Sequence, residues 1–255
     1  MTRSRGFTLI EMAIVLVIIT ILIGGLAMPL SAQIQARRIA ETRQTLQEAQ
    51  NALQGFAMAS GIASGPSGTA YLPCPDTSGD GIEDRTGTDC SSSSGGVSYG
   101  WFPWVTLGTA AQDAWGNRLR YVVISQFAKS GAGGGFHLSS INPPNTLPNI
   151  QICSTSSCLP SPQANNVAFA LISHGPNGWG AQNMNNPPGN LQAAPTGPDE
   201  KENTLNQLPL VMRAPTPPGS TLGEFDDLVA WMSESVLVGL ICPPKTSGSG
   251  SDCGW

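Results

Sequence analysis

The sequence predicts an α+β fold in which one long N-terminal helix packs on a small antiparallel β-sheet head with long, disulfide-stapled loops. Three observations support this fold class. An apolar run over residues 7–30 continues into an amphipathic stretch that ends near residue 60. Short apolar segments follow, separated by turns, in a chain with 30 glycines and 21 prolines. The six cysteines of this 255-residue chain are an even set suited to disulfides.

The composition is unusual for a cytosolic protein and does not favour a nucleic-acid-binding protein. Charged residues make up 11% of the chain, whereas about 25% is usual in soluble domains. The net charge is −5, with no basic block after the first five residues. Because binding to nucleic acid depends on a basic surface, nucleic acid is an unfavoured partner.

The chain begins with a short basic segment and an apolar run of membrane length. Arg3 and Arg5 precede residues 7–30, which as a helix would be about 36 Å long, enough to cross a bilayer. The positive-inside rule keeps the basic leader in the cytoplasm and places the remainder outside. An ordinary secretory signal peptide, cleaved near Ala27, is the alternative.

A carboxylate interrupts the apolar run near its start. Glu11 is the only charged residue in the run, and its burial in a membrane costs about 2.5–3.5 kcal/mol. The segment GFTLIE, residues 6–11, resembles the class III signal of type IV pilins and type II secretion pseudopilins. This resemblance implies cleavage by prepilin peptidase between Gly6 and Phe7 and N-methylation of Phe7. It also implies that Glu11 pairs with the Phe7 amine of a neighbouring subunit.

The stretch over residues 31–60 continues the helix with one apolar face. Its apolar and small residues recur every seven positions, in two rows: Ile39, Leu46 and Leu53, and Thr42, Ala49 and Phe56. Helix-breaking residues after position 60 are expected to end it. By the same resemblance, this stretch is the half of a long pilin helix that packs on a globular head.

An acidic loop follows the helix. Oxygen ligands fall at positions 1, 3, 5, 7 and 9 of a loop like that of an EF-hand, with Gly81 at the sharp turn. Position 12 is Gly87 rather than a glutamate. The pattern predicts calcium, bound by Asp76, Ser78, Asp80, the Ile82 carbonyl and Asp84. A plain acidic turn closed by a disulfide is the alternative.

The head has two further strand patterns. Residues 113–121 resemble the Asp-Pro-Trp-Gly-Asn-Pro-Tyr element of the major type II pseudopilin, with both prolines replaced, and lead into a strand over 119–125. Residues 167–173 read as a second strand, and His174 opens the turn after it. Residues 129–166 are expected to be mostly loop, and the aromatic cluster over 99–104 is expected to fill the core.

A second acidic segment lies between the last two predicted strands. In pseudopilins the loop after the matching strand holds calcium through carboxylates and carbonyls. By that resemblance, the second-site candidates are Asp199, Glu200, Glu202, Asn203 and Asp226. Carboxylates in ordered loops suit calcium, and a solvated acidic loop explains them equally well.

The C-terminal part combines a strand with a cysteine-closed tail. Residues 225–232 read as the last strand, and residues 233–240 as its extension or a short helix. Six cysteines allow 15 connectivities, and loop closure favours neighbours: Cys74–Cys90, Cys153–Cys158 and Cys242–Cys253. A zinc site is unfavoured because there is no CxxC motif and both histidines stand apart from the cysteines.

Together these features predict a structural subunit, a minor pilin or pseudopilin of a type IV pilus or type II secretion system. The expected parts are a leader (1–6), a transmembrane or filament-core helix (7–30), an amphipathic helix (31–60) and a pilin-like head (61–255). The expected location is the inner membrane with a periplasmic head, and then a filament of like subunits. The alternative is an adhesin or DNA-uptake module displayed on that anchor. No catalytic motif is visible, so an enzyme is not predicted, and calcium is the one cofactor considered.

Overall fold

The computed structural model describes residues 6–63, 70–131, 134–135 and 148–241, without the side chains of residues 23–30 and 62–63. The chain divides into two compact units, residues 1–40 and residues 41–255. The sheet and both described disulfides belong to the second unit. Residues 1–5 of the predicted leader lie outside the described residues.

Helix α1 extends from Leu9 to Ala63 and covers both predicted helical segments. Its start is fixed by a reciprocal cap: the backbone N–H and the hydroxyl of Thr8 both donate to the Glu11 carboxylate at 2.7 Å, and the Glu11 N–H donates to Thr8 Oγ1 at 3.3 Å. This capping box satisfies donors that the first helical turn leaves open. No helix of the described residues is sufficiently long and apolar to span a membrane.

The part of α1 within the second unit contributes one face to the core. Leu46, Ala49 and Leu53 are buried there, as their helical spacing predicted. Thr42 is also fully buried, and its Oγ1 accepts a hydrogen bond of 3.2 Å from the Ala114 N–H. The amphipathic helix of the sequence is therefore the packing face of this unit.

The remaining described elements are short. The strands are β1 (Arg85–Thr86), β2 (Asp89–Cys90), β3 (Ser93–Ser94), β4 (Val97–Trp101), β5 (Arg120–Ile124), β6 (Ile150–Cys153), β7 (Ala164–Ser173), β8 (Leu210–Val211) and β9 (Leu228–Ser233). The helices are α2 (Trp104–Leu107), α3 (Ser125–Ala128), α4 (Pro198–Glu202) and α5 (Glu234–Ile241).

Seven of these strands form one sheet in the order β3-β4-β5-β7-β6-β8, with β9 paired to β7. Strand β7 is the central strand, because it pairs antiparallel with three others, β5, β6 and β9. The pair β6–β8 is parallel, so the sheet is mixed rather than purely antiparallel as predicted. Strands β1 and β2 form a separate two-stranded ribbon.

Aromatic side chains contribute to the core that α1 and the sheet share. Tyr121 lies edge-on to Phe102 and to Phe169, with ring centroids 6.3 and 6.4 Å apart. Tyr99 and Phe102 of the predicted aromatic cluster are buried. The core-filling interpretation of that cluster is confirmed for these two rings.

Two strands need to be added to the sequence predictions. Residues 129–166 are mostly loop among those described, as predicted, but β6 and the start of β7 also lie there and were not predicted. Likewise no strand was predicted at the aromatic cluster, whereas β4 extends over Val97–Trp101 and includes Tyr99 and Trp101. Both β4 and β6 are short. The predicted strands over 119–125, 167–173 and 225–232 are confirmed as β5, β7 and β9 with shifted ends, and the helical option after β9 is confirmed as α5.

Two of the three predicted disulfides form. Cys74 pairs with Cys90 across a Cα–Cα distance of 5.3 Å, and Cys153 pairs with Cys158 across 5.0 Å. The first closes the acidic loop, and the second closes the turn that follows β6. Cys242 and Cys253 lie outside the described residues.

Candidate functional site

Three carboxylates converge beside the C-terminal end of β7. Glu200 lies in α4, and Asp226 and Asp227 lie immediately before β9. One carboxylate oxygen of each lies within 4.8 Å of the others. Glu200 and Asp227 are buried, and Asp226 is half-buried. The cluster joins two of the predicted calcium ligands to Asp227, which the sequence analysis did not select.

The turn after β7 shapes this site. Asn177 binds both loops, because its side-chain amide donates to Glu200 Oε1 at 2.8 Å and its backbone N–H donates to Asp226 Oδ2 at 3.1 Å. Gly175 adopts a φ of +60°, and a Cβ on it would collide with the carbonyl and carboxylate oxygens of Asp226. Glycine is therefore required both for the backbone conformation and for the close approach.

Asp227 is held by hydrogen bonds that the other two acids lack. Its Oδ1 lies 3.3 Å from Nδ1 of His174, and its Oδ2 accepts from the Asn203 side chain at 2.8 Å. His174 is fully buried within the turn, where the sequence placed it, and its carbonyl accepts from the Gly178 N–H. These contacts hold both carboxylate oxygens of Asp227 in place. Glu200 and Asp226 are the two acids of the cluster whose oxygens are not all bonded in this way.

Glu200 and Asp226 each present an oxygen that is buried and has no hydrogen-bond donor among the described residues. These oxygens are Glu200 Oε2 and Asp226 Oδ1. Burial, together with the nearby Glu200 carboxylate, raises the pKa of Asp226 to about 8. Burial also raises the pKa of Glu200. The pair must share a proton or a cation at neutral pH, since two adjacent buried carboxylates resist joint ionisation.

The donor set of this cluster fits a hard divalent cation. Every candidate ligand is an oxygen, which suits calcium or magnesium better than zinc or copper. The two carboxylate oxygens without donors are those that a cation would bind. Glu200 and Asp226 would hold the ion, and the Asn177 and His174–Asp227 contacts would orient them.

Of the other residues predicted for this site, Asp199 and Glu202 bond other partners, and Asn203 touches the cluster through Asp227. Asp199 forms a largely buried ion pair with Arg213 at 2.9 Å and accepts from the Ser156 N–H at 2.8 Å. Glu202 accepts from the Gln207 side chain at 2.7 Å. Asn203 is buried and bonds both the N–H and the carbonyl of Val211. Asp199 and Asn203 thus anchor α4, and Glu200 points into the cluster.

The first acidic loop has a different geometry. The Asp76 carboxylate is fully buried and accepts from the backbone N–H groups of Gly79 and Gly81 at 2.6 and 2.8 Å. Asp84 Oδ2 accepts from Thr77 and Ser78, and Asp80 Oδ1 accepts from the Ile82 N–H at 2.9 Å. Burial alone would raise the pKa of Asp84, and these hydrogen bonds outweigh it, so the pKa is lowered.

These contacts show a loop whose carboxylates bind its own backbone. Among the described residues, Asp76, Asp80 and Asp84 do not belong to any set of three or more acidic, histidine or cysteine side chains whose ligand atoms lie within 4.8 Å of one another. Ser78 bonds Asp76 at 3.3 Å. Calcium in this loop stays a prediction, whereas the second loop brings carboxylates together.

At the N-terminus, the residues of the predicted processing site are exposed. Gly6 and Phe7 precede α1, and Phe7 is 84% exposed. Glu11 is exposed as well and bonds only Thr8 among the described residues. Both residues that flank the predicted cleavage site are therefore exposed.

Comparison with known proteins places the clearest likeness in this N-terminal segment. Residues 1–27 match the family model described as the prokaryotic N-terminal methylation motif, the prepilin signal of type IV pilins and pseudopilins. The resemblance of residues 6–11 is confirmed by this match. No curated protein matches the chain, and no solved structure matches it.

Proposed function

Because the chain carries a prepilin-type signal, we propose that it is a filament subunit, a minor pilin or pseudopilin cleaved between Gly6 and Phe7 and methylated at Phe7. The match of residues 1–27 to the N-terminal methylation motif carries this proposal. Prepilin peptidase and other pilin-like subunits are the partners that the motif implies. The role is structural rather than enzymatic.

The surface of the first unit supports assembly through α1. Apolar side chains along its first turns are exposed, from 43% for Ile19 to 89% for Leu9. Such a long apolar surface needs a non-aqueous partner. In our proposal, the inner membrane covers it before assembly and neighbouring α1 helices cover it in the filament.

Glu11 has a specific role in this proposal. A carboxylate among packed apolar helices needs a counter-charge. Cleavage after Gly6 creates an ammonium group at Phe7, and the Phe7 amine of a neighbouring subunit would then neutralise Glu11. The bonds from Thr8 occupy one carboxylate oxygen, Oε2, and leave the other for the incoming amine.

The second unit supports a periplasmic head of pilin-like fold. A helix face packed on a sheet is the arrangement expected from the family resemblance, and disulfides favour an oxidising compartment. We place the head in the periplasm and, after assembly, on a periplasmic or extracellular filament. The long loops after β7 favour a minor subunit over the bulk one.

Calcium belongs to this proposal as a stabiliser of the head. Glu200 and Asp226 supply the ligands, and the ion would replace their shared proton and join α4 to the start of β9. A second ion could bind in the first loop only if the present hydrogen bonds of that loop were replaced by contacts with the ion. The predicted ligands there are Asp76, Ser78, Asp80, Ile82 and Asp84. The Glu200–Asp226 site is therefore the preferred one.

Incorporation of Glu11 variants into filaments tests the assembly role. Glu11→Ala should be processed normally yet be depleted from sheared filaments, because its apolar replacement cannot pair with the Phe7 amine. Glu41→Ala removes an exposed carboxylate from the same helix and is the matched control. Equal incorporation of Glu11→Ala and Glu41→Ala would overturn the pairing role.

A further inference from the structure

A cavity of about 490 Å³ opens in the head beside the first acidic loop. The residues that line it include Tyr99, Trp101, Arg120, Gln182 and Asn206. None of the three carboxylates of the Glu200–Asp226 site lines it. Cavities of roughly 300–1,000 Å³ with a few placed polar groups are typical of small-ligand sites.

Arg120 brings a positive charge to this cavity and has no carboxylate oxygen within 4.0 Å among the described residues, although the charge of Asp227 favours its ionised form from farther away. Its side chain is 7% exposed, and Nη2 donates to the Leu205 carbonyl at 2.7 Å and to Asn206 Oδ1 at 2.6 Å. Nε is sealed without an acceptor, and Nη1 has none among the described residues. Burial lowers the pKa of Arg120 to about 10, so the group stays cationic at neutral pH.

A second guanidinium, that of Arg118, lies next to Gly79 of the cavity wall without lining the cavity itself. Arg118 is 5% exposed and stacks over Trp104 at 4.7 Å, with its Nη1 buried and without an acceptor. No carboxylate oxygen of the described residues lies within 4.0 Å of either arginine. A buried guanidinium that touches no carboxylate favours an anion beside it, so an anion in the cavity that contacts Arg120 would be stabilised.

The one carboxylate in the cavity wall is already neutralised locally. Asp76 accepts backbone N–H groups of Gly79 and Gly81 through its two oxygens. Its charge is therefore directed to the acidic loop, and the guanidinium of Arg120 bonds the Leu205 carbonyl and Asn206 Oδ1 rather than a carboxylate. Charge-assisted hydrogen bonds from arginine to a carboxylate are among the strongest in proteins.

We propose that this cavity binds an acidic monosaccharide whose carboxylate accepts hydrogen bonds from Arg120. A sugar ring combines apolar C–H faces with hydroxyl groups. The partly exposed Trp101 suits one of its faces, while the exposed amide of Asn206 can bond its hydroxyls. This binding activity is additional to filament assembly and does not depend on it.

Calorimetric titration of the purified full-length chain in detergent tests the proposal with three probes. D-glucuronate should bind, and D-glucose, which lacks the carboxylate, should bind at least about tenfold more weakly. D-glucose 6-phosphate should also bind more weakly than glucuronate. Equal binding of glucose and glucuronate, or no heat with glucuronate at millimolar concentration, would overturn the proposal. Tighter binding of the phosphate would overturn the carboxylate assignment.

Variants locate the site. Arg120→Gln should weaken glucuronate binding about tenfold or more, whereas Arg43→Gln, on an exposed helix face, should leave it unchanged. Arg120 also bonds the Leu205 carbonyl, so its replacement removes a structural contact as well as the charge. A second pair of variants, at Leu191, leaves that contact intact. Leu191 lines the cavity and is 53% exposed. Leu191→Asp should bind glucuronate about threefold or more weakly than the matched Leu191→Asn, and equal affinity of the two would contradict the assigned site.

Discussion

Glu200 and Asp226 face each other with one buried carboxylate oxygen apiece that no donor among the described residues satisfies. They come from different loops and meet because the turn after β7 binds both through Asn177. Each charge raises the free energy of ionising the other. The ionisation state of the pair therefore links the stability of the head to pH and to divalent cations.

The stability of the metal-free chain should fall as pH rises. Asp226 has a pKa of about 8 in the folded state against an ordinary value of 3.8, so the folded state binds more protons between these values. Its contribution to the free energy of unfolding is complete below 3.8 and is lost as pH rises through about 8. Thermal melts in chelator should show this decline, and Asp226→Asn should flatten it. A slope unchanged by Asp226→Asn would contradict the role of the pair.

Calcium should stabilise the chain most where the pair is ionised. At pH 8, calcium at about 100 times its Kd would add about 2.7 kcal/mol to the free energy of unfolding. Asp226→Asn should abolish the rise in Tm, because an amide is a weaker calcium ligand than a carboxylate. Asp80→Asn is the control in the other acidic loop. If Asp80→Asn abolished the response and Asp226→Asn kept it, calcium would bind the first loop instead.

A methyl group at Gly175 should disrupt the same site. Gly175→Ala places a Cβ against the Asp226 oxygens and also strains a backbone with φ of +60°. Gly219→Ala imposes similar strain at φ of +80° but points into open space. The calcium-dependent rise in Tm should disappear in Gly175→Ala and persist in Gly219→Ala. Identical calcium responses would show that close packing at Gly175 does not shape the site.

The packing of α1 on the sheet should dominate the stability of the second unit. Leu53 is fully buried, and Leu53→Ala should lower the free energy of unfolding by about 2–5 kcal/mol because it leaves a cavity. Met58, on the same helix, is 50% exposed, so Met58→Ala should cost much less. Denaturant unfolding measures both values. Similar losses for the two variants would argue against this core.

Periodic and local signals predicted most of the fold. Leu46 and Leu53 recur at helical spacing, and the helix placed both in the core. Cys74 and Cys153 pair with near neighbours, where loop closure is least costly. Strand β6 was missed because its four residues lie in a polar, proline-rich segment, and only pairing with β7 and β8 makes it a strand.

The candidate site was predicted only in part, because its members are selected by tertiary contacts that the sequence does not show. Glu200 and Asp226 were selected by family resemblance, but charge alone could not separate them from Asp199 and Glu202. The distinction depends on tertiary partners: Arg213 neutralises Asp199, while Glu200 points towards the turn at Asn177. Asp227 follows Asp226 directly in the sequence, and only its contact with His174 places it in the cluster.

The mass of the mature N-terminus tests the central claim most directly. The full-length chain is produced in cells with a prepilin peptidase, and its N-terminal peptide is identified by mass spectrometry. Our account predicts a chain that begins at N-methylated Phe7, and a Gly6→Ala variant that keeps its leader. A wild-type chain that retains residues 1–6, or one cleaved near Ala27, would contradict it. So would a Gly6→Ala variant that still begins at methylated Phe7.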